Sequence, residues 1–98
     1  RMELKNIKNI VVDSLVSILD ENDIINISVD GNTEIFGSKS IIDSLQLINL
    51  VVKIEEDVYE RTGKEIIVVD DEAIIIGNSP FQTVQSLSEF VYKKVESA

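Results

Sequence analysis

Residues 3–20 set Leu4, Ile7, Val11, Leu15 and Ile18 at spacings of 3 and 4, with Ile10 and Leu19 alongside. This is the period of one buried helix face, not the strict alternation of a half-buried strand. The far end of the chain repeats the pattern. Val84, Leu87, Val91 and Val95 share one face with Phe90 beside them, behind Thr83 as N-cap. Lys93 and Lys94 fall in its final turn, where they complement the helix dipole. A polar break at Asp20-Glu21-Asn22-Asp23 ends the first helix. With 98 residues, the chain has room for one domain.

The helix between these two carries the fullest start signals. With Asp43 as N-cap, Ser44 is the first helical residue and Gln46 sits at N3, a capping-box pattern. Ile42 and Leu47 occupy the positions of a hydrophobic staple. The helix runs through Leu45–Tyr59 and stops before Gly63. Upstream, residues 24–42 read as a long irregular loop with turns at Asp30-Gly31-Asn32 and Gly37-Ser38-Lys39-Ser40. Ile24, Ile25, Ile27, Val29, Ile35 and Phe36 are expected to pin it to the core. In residues 64–79, Ile66-Ile67-Val68-Val69 and Ile74-Ile75-Ile76 suit a hairpin, while Asp70-Asp71-Glu72 suits the first turn of a short helix.

The middle helix has two apolar faces. At about 100° per residue from Leu45, the residues Leu47, Leu50, Val51, Ile54 and Val58 fall between about 140° and 240°. Leu45, Ile48 and Val52 fall between about 300° and 360° on the same count. One stripe suffices to pack a helix on its own domain. The second is either covered because the helix is central, or exposed as a patch for a partner.

Composition narrows the chemistry. Asp plus Glu number 18 against 9 Lys plus Arg, a formal charge of −9. That excess repels nucleic acid and anionic lipid and suits basic protein partners. There is no Cys, hence no disulfide, thiolate nucleophile or thiolate metal site, and no His, the side chain best suited to proton transfer at neutral pH. No apolar run is long enough to span a membrane, and there is no signal-peptide pattern, so a cytoplasmic monomer is expected. Arg1 before Met2 reads as a cloning remnant.

Candidate motifs fall short one by one. Asp30, Asn32 and Glu34 open like a calcium loop, but Ile35 and Ile41 stand where the turn Gly and the bidentate Glu belong. Gly37-Ser38-Lys39-Ser40 lacks the earlier Gly and the preceding strand of a phosphate loop. Glu55-Glu56-Asp57 and Asp70-Asp71-Glu72 read as solvated acidic faces. Ser44 is left, at a helix start whose amides and dipole favour an anion. Nothing in the chain activates its hydroxyl, so another protein would have to modify it.

Asp43-Ser44-Leu45 at the start of an amphipathic second helix resembles the attachment site of acyl carrier proteins. The likeness covers residues 36–58: Phe36-Gly37, Ile41-Ile42-Asp43-Ser44-Leu45, then Leu50, Val51, Ile54, Glu55 and Glu56. Thr83-Val84, Leu87 and Val91 also resemble the family, as do the length, the acidity and the lack of Cys. The resemblance implies an all-α four-helix bundle with a long first loop and a short third helix. It implies 4′-phosphopantetheine on Ser44, attached by a phosphopantetheinyl transferase that recognises Asp43, with cargo held as a thioester. It implies acyl-loading and acyl-using enzymes as partners. Leu45, Ile48, Val52, Glu55 and Glu56 would form the docking face, and Leu47, Val51 and Ile54 would line a cargo cavity. Such a carrier performs no catalysis itself.

The departures point to a specialised carrier. Two and five residues after the serine, where fatty-acid carriers are usually acidic, stand Gln46 and Asn49, and Lys53 follows at nine. Residues 60–80 form a longer stretch than the family's usual connection. Asp before the serine, with no Gly-Gly-His, departs from a peptidyl carrier's pattern; within the carrier class an aminoacyl or peptidyl carrier is the alternative. The competing class is an acidic helical interaction module without a prosthetic group, in which Ser44 only starts a helix.

Overall fold

The computed structural model describes residues 2–24, 26–37, 39–69 and 80–98. Among these residues the protein is all-helical, with α1 (Leu4–Glu21), α2 (Ser44–Thr62) and α3 (Val84–Ser97). A four-helix bundle is not shown. The expected short helix before α3 would draw on residues 70–79, which lie outside the described residues, as do Ile25, Ser38 and Arg1.

The apolar spacing places α1 at the centre of the packing. It packs against both α2 and α3, and Ile7, Ile10, Val11, Leu15, Ile18 and Leu19 are all buried. Leu50, Val51, Ile54 and Val58 of α2 and Val84, Leu87, Phe90, Val91 and Val95 of α3 belong to the same apolar cluster as α1. Phe81 sets its ring edge-on to Phe90 at 6.3 Å, and Lys94 lies over the Phe90 ring at 5.1 Å. None of the helices is long and apolar enough to cross a membrane among the described residues.

Helix ends follow local chemistry. After α1, Asp23 takes a left-handed φ of 58°. The amides of Ile24 and Asp23 then turn back to the carbonyls of Leu19 and Asp20 at 2.8 and 3.1 Å, a Schellman closure. Asp replaces the usual Gly there, since a short polar side chain tolerates that region. Gly63 ends α2 at a φ of 73°, its amide on the Tyr59 carbonyl at 2.8 Å.

The long loop is stapled to the start of α3. Val84 and Gln85 donate their amides to the carbonyls of Thr33 and Gly31 at 3.0 and 2.9 Å. The Thr83 hydroxyl accepts from the Ser86 amide at 3.1 Å, and its carbonyl accepts from Leu87 at 3.0 Å. The amides of Val84, Gln85 and Ser86 would otherwise lack acceptors, whereas that of Leu87 makes the first ordinary helical bond. An isolated bridge between Glu34 and Thr83 completes the junction.

Two expectations for this loop need correction. Ile35 is buried, and Ile24 and Val29 pack partly against the core, but Ile27 and Phe36 are exposed. Backbone bonds to α3, rather than every apolar side chain, hold the loop in place.

Residues 64–69 are neither helix nor paired strand. Ile66 and Val68 are buried while Ile67 and Val69 are exposed, the alternation of an extended chain. Ile74-Ile75-Ile76 lies outside the described residues.

Candidate functional site

The loop into α2 is shaped before the helix begins. Gly37 holds a φ of 138°, a region that favours glycine. A Glu34 carboxylate oxygen accepts the Lys39 amide at 3.1 Å. That amide therefore already faces an anion, which is unlike a phosphate-binding loop. In the other motif, Asp30 makes an Asx turn: its carboxylate accepts the Asn32 amide at 2.8 Å. No group of three or more His, Cys, Asp or Glu could hold a metal ion among the described residues.

At the α2 start the capping box is complete. The Asp43 carboxylate accepts the Gln46 amide at 2.8 Å, and the Gln46 side-chain oxygen accepts the Asp43 amide at 2.8 Å. The Asp43 carbonyl takes the Leu47 amide at 2.9 Å. Ile42 is buried and Leu47 half-buried against the core, so both staple residues fix the angle of entry. Ser44 is the first helical residue and is exposed. By helix geometry the amides of Ser44 and Leu45 have no intrahelical acceptor. An anionic ester on the Ser44 oxygen would meet those donors and the positive end of the dipole.

This geometry makes Asp43 a structural residue first. Asp43→Ala is expected to cost about 0.5–2 kcal/mol. Urea denaturation measures the loss, and an unchanged midpoint would show that the cap contributes nothing.

The second stripe of α2 faces outward. Leu45 is 67% exposed, Ile48 59% and Val52 46%. Tyr59, at about 320° on the helical count, extends the stripe and is also exposed. The helical count alone carries this signal, although the stripe read from aliphatic residues ends at Val52.

The two acids assigned to this face part company. Glu56 is exposed. Glu55 is half-buried, and its carboxylate accepts the Val68 amide at 2.9 Å. Glu55 thereby braces residues 64–69 against α2 while staying partly exposed. Lys53 is likewise engaged, pairing with Glu21 of α1 at 3.2 Å. Both partners are partly exposed, so the pair adds little stability.

The residues expected around a cargo cavity are core in this structure. Val51 and Ile54 are buried, and Leu47 packs partly against the same cluster. A cargo chain among them would have to part α2 from its neighbours.

No family model matches the chain, and no curated protein or solved structure matches it. The functional reading therefore rests on the chain's own residues.

Proposed function

We propose that the protein is a specialised acyl carrier, with Ser44 as the attachment point of 4′-phosphopantetheine. The supporting observation is the placement of Ser44: exposed, at the first position of a capped and stapled helix, beside an exposed apolar stripe. The residues fit the group. The free amides at the helix start and the dipole suit a phosphodiester, and the open position of Ser44 leaves room for a transferase.

Each nearby residue then has a task. Asp43 fixes the helix start and presents the hydroxyl. Leu45, Ile48 and Val52, with Glu56, offer enzymes an apolar strip with an acid at its edge. Bound to Ser44, the arm supplies a terminal thiol that holds an acyl cargo as a thioester. A chain with neither Cys nor His can bring neither thiol nor imidazole to that chemistry, so transferase and partner enzymes perform the catalysis. Gln46 and Asn49 in place of acids set this carrier apart from those of general fatty-acid synthesis. The proposal extends to the fold: a short helix before α3 would complete a four-helix bundle.

A second reading draws on the same stripe. The exposed stripe would serve a prosthetic-group-free interaction module equally well. Thiol titration separates the two, because the unmodified chain has none. After incubation with coenzyme A and a broad-specificity phosphopantetheinyl transferase, then removal of free coenzyme A, one thiol per chain is expected. A chain still lacking a thiol would favour the interaction module.

A further inference from the structure

At the far end of α2 from Ser44, a cleft of about 360 Å³ opens between the last turns of the helix and residues 65–67. Tyr59, Ile66 and Ile67 supply its apolar lining, and Glu55, Glu56, Glu60 and Glu65 its carboxylates, with Glu55 already holding the Val68 amide. No Lys or Arg is among its lining residues.

The wall of this cleft is held in place. Glu55 takes the Val68 amide at 2.9 Å on one side of Ile66-Ile67, and Lys64 donates to the Val95 carbonyl at 3.1 Å on the other. Between these ties the extended backbone turns Ile66 inward and leaves Ile67 66% exposed. Across the cleft, Tyr59 is exposed as well. Two large apolar side chains thus flank one opening without serving the core.

Charge decides what can fill the opening. A second copy of this chain would bring the same carboxylates and a formal charge of −9 with it. Anionic lipid and nucleic acid meet the same repulsion. An apolar side chain flanked by Lys or Arg satisfies both the lining and the carboxylates.

We infer that the cleft is a docking site for a basic segment of a partner protein. One apolar side chain of that segment inserts between Tyr59 and Ile67, and its cations face Glu56, Glu60 and Glu65. Glu56 and Tyr59 also border the outward strip of α2, but Ile66 and Ile67 lie beyond it and Ser44 takes no part, so this site stands or falls separately from the prosthetic group.

The test is a titration of the isotope-labelled chain, followed by amide NMR, with a short synthetic peptide of alternating lysine and leucine. Control peptides alternate lysine with serine, and glutamate with leucine. Saturable shifts are expected at Tyr59, Glu60 and residues 65–67 with the lysine–leucine peptide, and much weaker binding of both controls. Ile67→Ser should weaken binding by about fivefold or more, near the low end of what an apolar pocket contact contributes. Because Ile67 is exposed, this change leaves the fold intact. Leu45→Ser and Ser44→Ala should leave binding unchanged, and added salt should weaken it. Equal binding of the lysine–serine peptide would overturn the inference, because charge alone would then suffice. Shifts centred on Leu45–Val52, indifference to Ile67→Ser, or no saturable shift would overturn it too.

Discussion

Ile54→Ala is expected to destabilise the protein by roughly 2–5 kcal/mol, and Ile48→Ala by far less. The two residues lie less than two turns apart on one helix. Ile54 is fully buried in the cluster shared by α1, α2 and α3, whereas Ile48 is 59% exposed. Truncating Ile54 removes buried methyl groups and leaves a cavity that a close-packed core fills only in part. Truncating Ile48 removes atoms that water already reaches. Domains of this kind are stable by only about 5–15 kcal/mol, so the Ile54 change alone consumes a large share. Urea denaturation of both variants against the wild type measures the difference. Equal losses would mean that both faces of α2 are structural, and the outward stripe would have no claim as a docking surface.

That Ile48 and Ile54 lie on different faces was legible in the sequence because a helix converts spacing into direction; which of the two faces is left uncovered was not. Leu47, Leu50, Val51, Ile54 and Val58 fall together on any helical count, and Leu45, Ile48 and Val52 fall apart from them. Helix starts were legible for a different reason: Asp43 with Gln46, and Thr83 with its hydroxyl, are residue types whose side chains satisfy free amides. The loop offered neither signal. With no period to say which apolar residue turns inward, Ile27 and Phe36 read like Ile35, yet only Ile35 is buried.

Contacts between residues far apart in sequence were hidden as well. Nothing around Glu55 announces a bond to the Val68 amide, and nothing around Lys53 announces Glu21. By type alone, Glu55 reads as part of a solvated acidic face and Lys53 as a departure from the family's charge pattern. The staple between the loop carbonyls and the start of α3 is equally silent, since backbone groups carry no side-chain signature. At the candidate site, Ser44 and its cap could be read directly, because helix, cap and staple are all local. The cleft beside Tyr59 could not, because it depends on where residues 64–69 return.

The central claim is that Ser44 carries the prosthetic group, and the most direct measurement is the intact mass of the chain with peptide mapping. The chain is incubated with coenzyme A and a broad-specificity phosphopantetheinyl transferase, alongside Ser44→Ala. Ser44 is exposed and its hydroxyl is not needed for the cap, which Asp43 and Gln46 make between them. Ser44→Ala should therefore fold as the wild type does, and its far-ultraviolet circular dichroism should match. The account predicts a single phosphopantetheine on the wild type, mapped to the peptide containing Ser44, and none on Ser44→Ala. An unmodified wild type, or a label mapped to Ser38 or Ser40 and retained in Ser44→Ala, would contradict it.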